Sequence, residues 1–407
     1  MHEQLRFVIV GHVDHGKSTL IGRLLYDTAS LPEGKMEEIE RVSNGLGRPL
    51  EFGFICDNLE EERALAQTID TTQTFFKAAK RRYVIIDAPG HKELLKNMLT
   101  GASQADAAVL IVDAKEGIKE QTRRHAYLLG MLGIGQVIVV MNKMDLVGFD
   151  RKRFLNIKME LLDFLKRVGI RPMAVIPISA MQGDNVAKRS SRMPWYKGPR
   201  VIDCLGRFKA LGQGLGSAFR IPIQDTYQID RKRIHVGRVS VGVVGKGDLL
   251  VFQPSGKTAK VANIEILWKR RSKAYAGESI GITLTPELEL ARGEVASPVK
   301  SEANVLKKVN ANVFWMSPRP LRQGGGLTMR IATQEIPCKV MVLKKMNVLT
   351  LRPMKWKKGL IETDVGMVEI IAKAGFVAER FDNNRELGRF VLVRGTEVVA
   401  GGIVTHF

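Results

Sequence analysis

Cysteine is scarce in this chain: Cys56, Cys204 and Cys338 are the whole supply in 407 residues, with no CxxC spacing. That excludes a disulfide framework and a cysteine zinc site, and it makes the three ordinary reduced thiols. Nowhere do cysteine, histidine and aspartate cluster at metal-ligand spacing. No stretch approaches the roughly 18 uncharged apolar residues of a membrane span, and the first residues lack the basic head and apolar core of a secretory signal. Internal repeats and low-complexity tracts are also missing. These absences lead to the expectation of a globular, cytoplasmic protein.

Acidic residues are outnumbered. Lys and Arg total 63 against 42 Asp and Glu, for a net charge of +21. The excess is uneven: residues 1–210 carry 32 basic and 25 acidic side chains, the remainder 31 and 17, so the two parts stand at +7 and +14. Basic strings in the second part, "RKR" (Arg231 to Arg233), "WKRRSK" (Trp268 to Lys273) and "RPMKWKKG" (Arg352 to Gly359), suit nucleic acid phosphates or an acidic protein face. A solvated surface that keeps the protein soluble fits them equally well.

The length and the 45% hydrophobic content support two to four domains. In the first half, apolar β-rich runs alternate with helical patterns. "FVIV", "RYVIID", "AAVLIVD", "QVIVVMN" and "MAVIPIS" are nearly uninterrupted, as strands buried on both faces are. Between them lie "KELLKNML", "EQTRRHAYLLGML" and "RKRFLNIKMELLDFLKRVG", so the pattern predicts a mostly parallel sheet with helices on both faces. After about residue 212, short β-branched runs punctuated by glycine predict antiparallel barrels. A break near "ASPVKSEAN" divides this part in two, giving expected domains 1–211, 212–299 and 300–407.

Three motifs carry chemistry. "GHVDHGKST" fits GxxxxGK[ST] through Gly11, Gly16, Lys17 and Ser18. Glycines let backbone N–H groups turn inward around phosphate oxygens, and the following helix adds its positive end. Lys17 reaches the outer phosphates and the Ser18 hydroxyl can ligate magnesium. "DAPGH" (Asp87 to His91) places a carboxylate at a strand's end, suited to a magnesium partner, with Gly90 N–H beyond it for a γ-phosphate. "NKMD" (Asn142 to Asp145) selects the base: guanine offers two adjacent donors to a single carboxylate, Asp145, and adenine offers no such pair. "ISA", with Ser179 and Ala180, supplies backbone donors to the guanine carbonyl. The nucleotide expected is GTP, held with Mg2+.

In this order the motifs resemble those of the translational GTPases, the group of elongation factor Tu and elongation factor 1-alpha. The resemblance implies an α/β P-loop GTPase domain followed by two antiparallel β-barrel domains. It implies that Asp14, His15, Gly16, Lys17, Ser18 and Thr19 wrap the phosphates, with His12 and His15 as shape and hydrogen-bonding residues. Ser18 and the switch residue Thr68 would serve magnesium beside Asp87, Lys143 would join the base loop, and His91 would position the attacking water. His125, in an amphipathic helix, reads as structural. Where the family reads RxxGITI this chain reads "ERALAQTID", putting Ala66 and Gln67 before Thr68. A polar Gln67 in a hydrophobic gate implies an altered intrinsic GTPase rate, and an exposed loop glutamine is the competing reading.

Further strings resemble the large GTPase subunit of bacterial sulfate adenylyltransferase: "STLIGRLLYDT", "TIDTTQTFF", "QTRRHAYLLGMLGI", "GDNV" with "MPWYKGP", "FQPSGKTAKV" and "VFWMSPRPL", the last containing Trp315 and Met316. That resemblance implies a subunit whose GTP hydrolysis drives synthesis of adenosine 5′-phosphosulfate by a small catalytic partner subunit. A second phosphate loop, as in relatives with a fused kinase, is missing. "DHGKST", "ELGRFVL" and the basic second half lean instead toward an elongation-factor-like carrier of aminoacyl-tRNA, and a stand-alone signalling GTPase is a third reading.

Overall fold

The computed structural model describes residues 4–31, 34, 52, 73–78, 81–87, 105–209, 218–229, 232–266, 269–322, 324–354 and 359–407. The chain divides into two compact units, Met1–Ala210 and Leu211–Phe407.

The first unit is built on a six-stranded sheet. Its strands are β1 (Gln4–Gly11), β2 (Gln73–Ala78), β3 (Arg81–Asp87), β4 (Ala107–Asp113), β5 (Val137–Asn142) and β6 (Val175–Pro177), in the spatial order β2-β3-β1-β4-β5-β6. Only β2 runs antiparallel to its neighbour. Every residue of β4 and of β5 is buried, which is why both read as unbroken apolar runs rather than alternating ones. The register pairs Ile9 with Asp87, Gly11 with Ile111, Asp113 with Asn142 and Met141 with Pro177. All five parallel strands therefore finish along one edge, where ligands of open α/β sheets bind.

The described α-helices of the first unit are α1 (Lys17–Asp27), α2 (Glu120–Met131), α3 (Arg151–Arg167) and α4 (Val201–Arg207). In α3 the apolar spacing buries Phe154, Ile157, Leu161, Phe164 and Leu165 along one stripe. Asp150 caps it by accepting from the Lys152 and Arg153 amides, a cap whose loss costs about 1 kcal/mol. The expected strand "MAVIPIS" pairs only over Val175–Pro177. The expected helix "KELLKNML" lies outside the described residues.

In the second unit, one sheet runs in spatial order Leu249–Gln253, Val295–Pro298, Ile221–Ile229, Lys232–Arg238, Ser279–Thr285, Lys257–Ile266, Lys269–Arg271, and closes when Leu249–Gln253 pairs with Lys257–Ile266. The next runs Gly326–Ile331, Arg389–Arg394, Glu397–His406, Val305–Trp315, Val365–Val377, Gln334–Met346, Pro353–Met354, and closes through Gly326–Ile331 on Gln334–Met346. These are the two antiparallel barrels expected from the sequence. Inward positions alternate: Val309, Ala311, Val313 and Trp315 of one strand all enter the core of the second barrel. A small apolar cluster of Val295, Ala303, Val377 and Leu387 joins residues of both barrels. Beside it the Arg220 guanidinium meets Glu379 at 2.7 Å and donates to the Phe219 and Ser301 carbonyls at 3.0 Å each. Among the described residues, no helix is long and apolar enough to cross a membrane.

Candidate nucleotide site

The loop between β1 and α1 is shaped by backbone demands. Gly11 lies so close to β4 that a Cβ would sit 2.3 Å from Ile111 Cγ2 and 2.6 Å from Ile111 O. Gly16, the N-cap of α1, has φ 87°, and a Cβ there would meet Asn142 Nδ2 at 2.4 Å. Asp14 also takes the left-handed region, φ 62°, which a short acidic residue tolerates better than most. Helix α1 starts with no side-chain cap and no acid in its first turn, leaving its positive end for an external anion. Lys17 Nζ donates to the carbonyls of Gly11 (3.2 Å) and His12 (3.0 Å), so the loop holds its own ammonium at its centre. Ser18 and Thr19 follow in the first turn of α1, half-buried.

His15 is almost fully buried, with Nδ1 3.4 Å from Ile111 O and Nε2 3.6 Å from Glu116 Oε2, beyond hydrogen-bonding reach. Burial depresses its pKa against the raising pull of Ile111 O and Asp113, so the ring is neutral near neutral pH. The His12 ring stands edge-on to it, centroids 5.2 Å apart, and contacts Gln121 Oε1 through Nδ1. Both rings pack against the loop and its neighbours.

The residues expected to meet the base lie at the ends of β5 and β6, beside the end of β4. Asn142 Nδ2 donates to His15 O at 2.9 Å, and its Oδ1 accepts the Ala180 amide at 2.9 Å. The Ala180 N–H, expected to face a guanine carbonyl, is therefore already engaged by Asn142. Ser179 is fully buried, its Oγ accepting the Gln182 amide at 3.3 Å. Lys143 adopts φ 60° and opens a short turn, Met144–Val147, that contains Asp145. Asp145 Oδ1 is buried without a hydrogen-bond partner among the described residues, the state of a carboxylate oxygen built to meet an outside donor.

Sequence reasoning missed Asp113. It ends β4 almost fully buried, and its Oδ2 receives Lys143 Nζ at 2.8 Å while Oδ1 accepts the amides of Lys115 (2.6 Å) and Glu116 (3.1 Å). Burial pushes its carboxyl up, but Lys143 and the two amides outweigh burial and hold it below the usual carboxylate range. The signal was present: "AAVLIVD" closes on an acid at the same sheet edge as "RYVIID". Of the other expected residues, Asp87 ends β3 on that edge, and Thr68, Gly90 and His91 lie outside the described residues, as do Ala66 and Gln67. Among the described residues no group of three or more His, Cys, Asp or Glu is placed to hold a metal.

Fold and site define a phosphate-loop GTPase domain followed by two closed β-barrels. The family model for the Elongation factor Tu GTP binding domain matches residues 2–227, and that for the GTP-eEF1A C-terminal domain-like family matches residues 308–405. Elongation factor 1-alpha of Thermococcus gammatolerans is 37% identical over 98% of this chain and 97% of its own length. The Archaeoglobus fulgidus protein of the same name is 37% identical, covering 99% and 97%, and that of Thermoplasma volcanium 35%, covering 98% and 96%. A solved structure of sup35 complexed with GMPPNP is similar at a TM-score of 0.46 and 27% identity, covering 100% of this chain and 95% of that one. The chain belongs to the elongation factor Tu and elongation factor 1-alpha family of GTPases.

These relatives overturn the sulfate adenylyltransferase reading and, with it, the small catalytic subunit as partner: the full-length matches are to elongation factors 1-alpha. The strings that suggested it have structural work that does not discriminate between subfamilies. Trp315 is a barrel-core residue whose Nε1 donates to Arg319 O at 2.9 Å, and Met316 is buried beside it. In "MPWYKGP", Trp195 Nε1 donates to Phe149 O and Tyr196 Oη to Pro199 O. In "GDNV", Asn185 Nδ2 donates to Pro177 O. Each ties a loop to its own unit.

Proposed function

We propose that the chain is a cytoplasmic, elongation-factor-like carrier that binds GTP with Mg2+ and, in the GTP state, holds aminoacyl-tRNA. One observation carries the nucleotide half: Asp145 Oδ1, buried without a hydrogen-bond partner among the described residues, at the same sheet edge as the phosphate loop. In this reading Gly11 and Asp14 to Thr19 hold the phosphates, Lys17 the outer ones, and Gly90 N–H the γ-phosphate. Asn142, Lys143, Asp145, Ser179 and Ala180 surround the guanine. Ser18, Thr68 and Asp87 serve the ion, which would neutralise charge on the β- and γ-phosphates. His91 orients the attacking water, and Gln67 before Thr68 alters the intrinsic hydrolysis rate.

The RNA half rests on the elongation factor 1-alpha relatives along the whole chain and on charge. The part beyond residue 210 carries +14, and in its second barrel Arg319, Arg322 and Arg394 line a groove of about 400 Å3 with Pro320 and Leu321. Guanidinium groups in such a groove suit a phosphate backbone. We divide the chain functionally into the GTPase domain 1–211 and barrels 212–299 and 300–407.

The test is retention of aminoacyl-tRNA on filters with a non-hydrolysable GTP analogue or GDP, across a salt series. Strong binding in the triphosphate state, weak binding with GDP, and affinity that falls steeply with salt are expected. Equal retention with both nucleotides, or equal retention of charged and uncharged tRNA, would remove this reading.

A further inference from the structure

The acid that the three motifs do not include sits directly beneath the residue they share with the base. Asp113 and Asn142 are partners in register across β4 and β5. The Ala114 amide donates to Asn142 O at 2.8 Å, and the next residue, Lys143, returns its ammonium to Asp113 Oδ2 at 2.8 Å. Two backbone amides on Oδ1 fix the carboxylate, so it cannot swing to follow the lysine. Lys143 also occupies the left-handed region, where a side chain with a Cβ is strained and persists only if its surroundings hold it.

We propose that Asp113 is a positioning residue for purine recognition: by clamping Lys143 from below, it sets the turn that aims Asp145 at the base. The proposal rests on the reading that this loop holds guanine. Lys143 is 29% exposed and Asp113 only 2%. Without the carboxylate, a flexible four-carbon side chain at that exposure turns to water, and the residue is left to its main-chain bonds, the Leu146 amide on Lys143 O and the Met144 amide on Ile178 O, both at 3.1 Å. Among the described residues Asp145 Oδ1 has no partner to fix it, so its aim follows from the turn. A bidentate contact is sensitive to such aim, because both donors of guanine must be met at once.

The experiment is competition of GDP and IDP against a fluorescent GDP analogue on the full chain, in wild type, Asp113→Asn, Lys143→Met and the double variant. IDP lacks the exocyclic amine, so the GDP to IDP ratio reads the two-donor contact and not the general integrity of the fold. Asp113→Asn keeps the shape and the Oδ1 acceptor for the two amides while removing the ion pair. It is expected to weaken GDP about tenfold and IDP only about threefold, narrowing the ratio, and to add no more than about twofold to the loss already caused by Lys143→Met. An unchanged GDP to IDP ratio in Asp113→Asn, or losses that multiply in the double variant, overturns the proposal. A wild-type protein that does not prefer GDP over ADP instead removes the GTP reading, and that result appears before any substitution is made.

Discussion

Asn142 donates its side-chain amide to the main-chain oxygen of His15 at 2.9 Å, linking the glycine loop between β1 and α1 to the end of β5. Its carbonyl oxygen takes the Ala180 amide at the same distance, so one fully committed side chain joins β5 to both neighbouring loops. Asn142→Ala leaves a buried carbonyl and a buried amide without partners, each costing about 1–3 kcal/mol. The urea midpoint of the first unit is expected to drop accordingly and GDP release to quicken, with an unaltered midpoint counting against the link. Gly16→Ala strikes the same amide from the other side, since its Cβ would fall 2.4 Å from Asn142 Nδ2, and it should abolish tight nucleotide binding.

Purine choice is the sharpest test of Asp145. Its Oδ1 is buried without a hydrogen-bond partner among the described residues, and in the proposed reading the carboxylate accepts both donors on one edge of guanine. Asp145→Asn replaces an acceptor pair by one acceptor and one donor, which suits xanthine, with a carbonyl where guanine has an amine. Affinity for GTP should fall by roughly 10³-fold or more and that for XTP should rise, because a buried polar mismatch rejects more strongly than a missing methylene. Calorimetry with GTP, XTP and ATP checks this, and retained GTP affinity would deny Asp145 its role.

Arg220 and Glu379 lie on different barrels and are nearly buried, at 9% and 16% side-chain exposure. Removing one partner, as in Glu379→Gln, leaves a buried guanidinium without its counter-ion and is expected to cost about 3 kcal/mol. Replacing both, Arg220→Met with Glu379→Leu, should restore much of that loss, because an apolar pair carries no desolvation penalty. Denaturation of the full chain distinguishes the two outcomes. Equal losses in the single and double variants would mean that the pair is more than a buried counter-ion arrangement.

The fold was legible because burial on both faces writes itself into β4 and β5 as continuous apolar runs, and because alternation such as Val309, Ala311, Val313, Trp315 marks a barrel wall. The phosphate loop was legible from spacing: Gly11 and Gly16 are required by contacts with Ile111 and Asn142 that no side chain permits. The acid closing "AAVLIVD" was visible, but its pairing with Lys143 was not, since that depends on which strand lies next to β5, and strand order is not written in a linear motif. The Ala180 amide shows the same limit from the other side, for sequence gives a donor's existence but not its partner. Subfamily was the least legible. Trp195, Tyr196 and Trp315 are distinctive letters, yet their polar atoms satisfy nearby carbonyls, a need common to many relatives of this fold.

His235 offers a pH test inside the first barrel. The ring is 1% exposed, and Nδ1 pairs with Thr226 Oγ1 at 2.9 Å. Burial, with Arg233 beside it, lowers its pKa below the ordinary 6.5, and the opposing pull of Leu288 and Glu287 does not restore it. An unfolded chain therefore takes up this proton near pH 6.5, while the folded barrel resists until lower pH. Between those values unfolding binds a proton, so stability rises with pH through the window and levels off above about 6.5. The urea midpoint of the wild-type chain should fall as pH is lowered from 7 toward 5.5, and His235→Gln, which cannot take the proton, should fall less steeply whatever its stability at pH 7. The slope remaining in the variant belongs to other groups, the buried His15 of the first unit among them. Parallel slopes in the two proteins would mean that His235 is protonated as easily in the folded barrel as in the unfolded chain.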